Sequence, residues 1–138
     1  GSDIINIHYE ATEDCVPVLK KIKELGKKAA VTIKPKTSFN EVLHLAEYVD
    51  MFLVMSVEPG FGGQSFIEST LKNVEGFAEY KAKNGFSYDI EIDGGINLDN
   101  ITDPLDAGAN VIVAGSAIFG KADIVDRIHR FNDIMSRY

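Results

Sequence analysis

Met51-Phe52-Leu53-Val54-Met55-Ser56-Val57-Glu58-Pro59-Gly60-Phe61-Gly62-Gly63-Gln64 is the stretch whose reading decides the fold. Its first half, Met51 to Val57, is an almost unbroken apolar run rich in branched side chains, the pattern of a strand covered on both faces as parallel strands are. Its second half carries three glycines, which permit positive φ and let backbone N–H groups approach a bound group. A buried strand therefore runs into a phosphate-cradling loop, a mobile lid, or both.

Upstream, a strand–loop–helix pattern occurs twice. Ile4 to His8 reads as a short strand opening into a loop at Tyr9-Glu10. Thr12 or Asp14 can cap the next helix, where Val18, Leu19, Ile22 and Leu25 share a face and Gly26 is the stop. Ala29 to Ile33 is the second strand, ended by Lys34-Pro35. Ser38-Phe39-Asn40-Glu41 is then a Ser-x-x-Glu capping box opening a helix with Val42, Leu43, Leu45 and Ala46.

Downstream of the glycine loop, a helix near Thr70 to Asn84 turns Leu71, Val74, Phe77 and Ala78 inward and ends at Gly85. Gly76 weakens it a little. Asp89 to Asp93 is a strand, and Asn97 can cap a helix reaching Ala107-Gly108. Pro104 interrupts that helix unless Asp103 recaps it with Pro104 in first position. Val111 to Ala114 is the last strand, Gly115-Ser116 opens a helical turn, and Ile124, Val125, Ile128, Phe131, Ile134 and Met135 share one face of a closing helix. Five strands alternating with five helical segments, with no linker, predict one α/β domain over residues 3–138 with right-handed parallel crossovers.

The 138 residues, 45% hydrophobic and 25% charged, have ordinary globular composition. No run approaches the roughly 20 apolar residues of a membrane span. A net charge of −7 disfavours a nucleic-acid partner, which would need clustered Lys and Arg, but leaves room for a local anion site. The lone Cys15 cannot pair within the chain and reads as a buried or half-buried small apolar residue, which favours a reducing, cytoplasmic setting. Gly1-Ser2 has the look of a tag-cleavage scar, with no signal peptide after it.

Functional groups in parallel α/β architectures sit at the carboxyl ends of the strands, so the loops starting at His8, Lys34, Glu58, Asp93 and Gly115 should share one rim. Asp93, followed by two glycines, reads equally as a turn-initiating residue and as a catalytic acid. Gly60 to Gly63, Gly94-Gly95 and Gly115-Ser116 are each explained as tight turns. Three together favour a site for an anion, since two of them lead towards helix N-termini. His44 and His129 fall on helices and read as exposed or packing residues, and Lys36 as a solvated rim charge.

Met55 to Gln64, with Glu91-Ile92-Asp93-Gly94-Gly95 and Ala107-Gly108-Ala109-Asn110 to Gly115-Ser116-Ala117-Ile118, resembles the ribulose-phosphate 3-epimerase family. Three long motifs in the right order make the resemblance specific. It implies a partial (β/α)8 TIM barrel, strands four to eight of the family barrel, because a complete one takes about 250 residues.

The implied activity interconverts D-ribulose 5-phosphate and D-xylulose 5-phosphate by metal-assisted proton transfer through an enediolate. Asp93 matches the residue that is both a metal ligand and one of two acid/base carboxylates. The sugar phosphate is implied on Gly60, Phe61, Gly62, Gly63, Gly94, Gly95, Gly115 and Ser116, with Met55 lining the reaction site. The other metal ligands, two His and one Asp, belong to the family's second and third strands, with a Ser on the first, and none is in this chain. A divalent metal (Zn, Fe, Mn or Co) is thus expected of the complete enzyme, and is expected to be absent or weakly bound here. His8 matches a family His that is not a ligand. Two alternatives stand beside this reading: an epimerase for a six-carbon ketose phosphate such as allulose 6-phosphate, and a non-catalytic phosphate-binding half-barrel.

Five of eight strands leave two sheet edges, at Ile4 to His8 and at Val111 to Ala114. They should also bare the inward faces of Ile7, Ile33, Leu53, Ile92 and Val113. A homo-oligomer is expected, or else a monomer whose final helix covers the opening.

Overall fold

The computed structural model describes residues 1–138. Strands β1 (Ile4–His8), β2 (Lys28–Ile33), β3 (Met51–Met55), β4 (Asp89–Asp93) and β5 (Val111–Val113) form one parallel sheet in sequence order. Each crossover returns the chain to lie beside the strand it has just left, running the same way. β1 and β5 are the two open edges.

The register assigns the faces. Ala29, Val31, Ile33, Phe52, Val54, Ile90 and Ile92 join Leu19, Ile22, Val42, Leu45, Val74 and Phe77 in one core under the helices. The alternate positions, Asn6, Ala30, Thr32, Leu53, Met55, Glu91, Asp93 and Val113, lie side by side on the opposite face. Ile7, Ile33 and Ile92 are therefore on the helix-covered face, and only Leu53 and Val113 of the five expected inward residues point the other way. Both faces of a parallel strand are apolar, so composition does not distinguish them; register does.

Helix α1 (Cys15–Glu24) is capped by Asp14, whose Oδ1 accepts from Val16 N at 3.0 Å. Starting the helix at Cys15 puts Cys15, Leu19 and Ile22 on the buried stripe and leaves Val18 and Leu25 exposed, Leu25 by 63%. The capping box at Ser38 also forms, with Ser38 N donating to Glu41 Oε1 at 2.9 Å. It opens two 3₁₀ turns, Phe39–Glu41 and Leu43–Leu45, instead of the expected α-helix. A 3₁₀ turn rises about 2.0 Å per residue against about 1.5 Å in an α-helix. The short segment thereby reaches along the sheet while burying Val42, Leu45 and Ala46.

Helix α2 (Leu71–Asn84) ends at Gly85 as expected. Gly76 has a packing role that its helix propensity hides: a Cβ there would lie 2.4 Å from the Phe39 ring. The gap admits Phe39, which meets Phe77 edge-on, and Phe77 stacks on Phe52 at 4.3 Å. Tyr88 closes the cluster, its hydroxyl donating to Phe77 O at 2.8 Å. Burial, and secondarily the charge of Tyr80, pushes its pKa up to about 12, so it stays a donor at neutral pH.

Two side chains at the amino ends of the strands stitch the sheet. Asp50 Oδ2 accepts from Ala29 N at 2.8 Å, and Asn110 Oδ1 accepts from Ile90 N at 2.7 Å. Helix α3 (Thr102–Asp106) carries Pro104 in its first turn, where the missing N–H costs no helical bond; Ile101, not Asp103, precedes it as the cap. After α4 (Ser116–Phe119), α5 (Ile124–Met135) packs Phe131, Ile134 and Met135 against the helix-side core and leaves Ile124, Val125 and Ile128 exposed. The final helix thus lies with the other helices and does not cover the opposite sheet face. No helix is long and apolar enough to cross a membrane.

Candidate functional site

At the carboxyl ends of β3, β4 and β5 lies a cleft of about 390 Å³. All ten residues singled out from the sequence line it: Met55, Gly60, Phe61, Gly62, Gly63, Asp93, Gly94, Gly95, Gly115 and Ser116. Register explains the centre of the group, because Met55 pairs with Asp93 and Asp93 with Val113, which sets the three side by side on the face away from the helices.

β3 ends at Met55, two residues sooner than its apolar run suggests, because Ser56 turns the chain into the loop. Ser56 N donates to Asp93 O at 2.8 Å, Ser56 Oγ to Gly94 O at 2.7 Å, and Ile67 N to Ser56 O at 2.8 Å. One buried serine therefore ties both ends of the glycine loop to the turn after β4. Within the loop, Gln64 Nε2 donates to Glu58 O at 2.6 Å and to Phe61 O at 2.8 Å. These two bonds bend Glu58–Gln64 into a clasped ring while Phe61 stays 74% exposed.

The Gly94-Gly95 turn needs its glycines twice over. Both have positive φ, +134° and +68°. A Cβ on Gly94 would sit 2.6 Å from the Val57 side chain, and one on Gly95 would sit 2.4 Å from Phe66 N. Bare backbone is thus packed against backbone where the two loops meet, a close approach that a side chain would block.

The Asp93 side chain is half-buried, and burial raises its pKa with no hydrogen bond from the chain to offset it. It is not spent on capping its own turn. Glu91, two residues earlier on the same face, is also raised, by burial and then by the charge of Asp93.

No three or more His, Cys, Asp or Glu side chains stand close enough together to hold a metal ion. The donors on this chain do not make up a metal centre, and Asp93 is a single carboxylate. His8 lies elsewhere on the rim, its Nδ1 3.5 Å from Glu10 Oε2, in a shallow cleft with Lys34, Pro59 and Gly60. Glu10 accepts from Lys34 N and Thr37 Oγ1; although burial alone would raise its pKa, these bonds hold it below the usual value. His44 and His129 are exposed.

Sequence reasoning missed Ser56 and Gln64; it set Glu58 on the rim, and Glu58 does line the cleft. A serine inside an apolar run was the available signal for Ser56. Nothing local marks Gln64, since its carbonyl partners are defined only once the loop has closed.

The sheet, its connectivity and its loops define part of a (β/α)8 barrel with a cleft at the strand carboxyl ends. Solved structures agree on the fold: the chain matches 3-hexulose-6-phosphate synthase from Salmonella typhimurium with TM-score 0.70 at 21% identity, covering 99% of this chain and 63% of that one. It matches thiamine phosphate pyrophosphorylase from Pyrococcus furiosus with TM-score 0.68 at 19% identity, covering 99% and 60%. The family model described as "Ribulose-phosphate 3 epimerase family" matches residues 1–119. Ribulose-5-phosphate-3-epimerase, chloroplastic, of Arabidopsis thaliana is 42% identical over 130 residues, which are 93% of this chain and 46% of that protein. Ribulose-phosphate 3-epimerase of Bacillus subtilis is 41% identical over 126 residues, 89% of this chain and 57% of that protein. The chain belongs to the ribulose-phosphate 3-epimerase family, and it spans about half the length of the curated relatives it matches.

Proposed function

We propose that this chain carries the phosphate-binding and one acid/base part of a ribulose-phosphate 3-epimerase barrel. The observation that supports this most is the convergence of three glycine turns and Asp93 on one cleft. Backbone N–H groups of Gly62, Gly63, Gly94, Gly95, Gly115 and Ser116 hold the phosphate of a phosphorylated ketose. The sugar then extends along the strand ends over Met55 towards Asp93.

Epimerisation exchanges a proton at the carbon beside the carbonyl, and Asp93 takes or returns that proton on one face. Its raised pKa suits the task, because a carboxyl group held partly out of water is easier to protonate between the two halves of the exchange. The metal that the family resemblance implies would need donors beyond this chain's single carboxylate, and no step is assigned to it. The free, buried Cys15 is in keeping with a reducing compartment.

Inorganic phosphate titrated into the chain should shift the amide resonances of those six loop residues. Shifts confined to other residues would remove the basis of the phosphate site. Comparing D-ribulose 5-phosphate with a six-carbon ketose phosphate as substrates of a full-length barrel carrying this sequence would separate the two sugar lengths, because the loops described here contact only the phosphate end.

Self-association belongs to the same reading. β1 and β5 present unpaired edges, and Ile124, Val125 and Ile128 on α5 are apolar and exposed. Light scattering should find a dimer or larger species; a monodisperse monomer would count against it.

A further inference from the structure

The cleft proposed to hold a phosphate has an electrostatic deficit. Its only titratable lining groups are Glu58 and Asp93, both acids, and the chain as a whole carries −7. A phosphate monoester brings about −1.5 to −2 charges of its own at neutral pH. Neutral backbone donors orient such a group, but they do not offset two carboxylates beside it.

A second cleft, of about 700 Å³, adjoins the first and shares Gly63, Gln64, Gly95, Ile96 and Ser116 with it. The shared strip thus includes Gly63, Gly95 and Ser116, three of the six proposed phosphate donors. The second cleft is also lined by Lys121 and Arg127, with Asp99 as its one acid. These are the only two cations on either cleft. Both are free of ion pairs: those in the chain join Lys21 to Glu24 and Lys23 to Asp50. Arg127 Nε donates to Ala117 O, which pins its guanidinium one residue from Ser116 and leaves the terminal nitrogens as open donors.

We infer that Lys121 and Arg127 form the cationic wall of the phosphate subsite and select phosphorylated over unphosphorylated ligands. The inference builds on the glycine-loop reading above and adds to it the charge that the loops lack. Arg127 presents a fixed fork to the phosphate oxygens, whereas Lys121 contributes a mobile point charge.

The test is a titration of inorganic phosphate into this chain, read by amide shifts at the loop residues, for the wild type and for Lys121→Gln/Arg127→Gln. Exposed charge pairs are worth up to a factor of about five each, so the double variant should bind about tenfold more weakly. Its affinity should also fall less with added salt. Lys36→Gln, which removes one exposed rim charge against the double variant's two, should keep wild-type affinity, and thermal unfolding of all three proteins should coincide.

Equal affinity in wild type and double variant, with shifts at the loops in both, would overturn the cationic wall while leaving the glycine cradle standing. An equal loss in Lys36→Gln would overturn it as well, by making the effect one of net charge. Absence of loop shifts in the wild type would remove the cradle and this inference together.

Discussion

Replacing Asp93 with Asn is expected to lower epimerase turnover at least ~100-fold, the lower end of what a positioned general acid or base contributes. The substitution preserves shape and removes the ability to accept and return a proton. It should leave the fold intact, because the carboxylate makes no hydrogen bond that holds the β4 turn. The turn is held by backbone and by Ser56, whose N–H and hydroxyl grip Asp93 O and Gly94 O. The measurement belongs in a full-length barrel carrying this sequence, with turnover of ribulose 5-phosphate compared between wild type and variant and unfolding followed in parallel. Turnover near wild type would make Asp93 a turn residue only. Lost turnover with lost stability would point instead to a structural role.

That the ten proposed residues would line one cleft was legible partly from local chemistry and partly, for Asp93, Met55 and Phe61, from the family resemblance alone. Glycines at strand ends and an acid before Gly-Gly announce bare backbone and a carboxylate on one rim once the strands are known to be parallel. What could not be read depends on partners elsewhere in the chain. The stripe of α1 follows from the choice of Asp14 as cap, which moved Val18 and Leu25 to the surface. The faces of Ile7, Ile33 and Ile92 follow from register, which apolar runs do not encode. Gly76 looks like a weak point in a helix until Phe39, from a different segment, fills the space above it. Lys121 and Arg127 carry no motif; they gain meaning only from the cleft that they share with the glycine turns.

Gly95→Ala should be a severely damaging single-methyl change, costing about 2–5 kcal/mol of stability and much of the phosphate affinity. Two independent penalties combine. At φ +68° an L-residue pays about 1–2 kcal/mol for the left-handed conformation. The added Cβ would also lie 2.4 Å from Phe66 N and 2.8 Å from Phe66 Cα, and backbone cannot rotate out of the way as a side chain can. Forcing an extra methyl into such a contact costs about 1–3 kcal/mol, depending on how far the surroundings give. The part that gives here is the segment Gln64–Phe66, which Gln64 clasps to Glu58 O and Phe61 O, so relief of the clash opens the ring that presents the Gly62 and Gly63 amides. Gly62→Ala is the matched control: its φ is not positive, and a Cβ there meets nothing within 4 Å. Denaturant unfolding should place Gly62→Ala within about 0.5 kcal/mol of wild type, as for an ordinary surface change. Phosphate titration should show strong weakening in Gly95→Ala alone. If the two variants behave alike in both measurements, the packing of the β4 turn against the clasped loop is not what holds the cradle in shape.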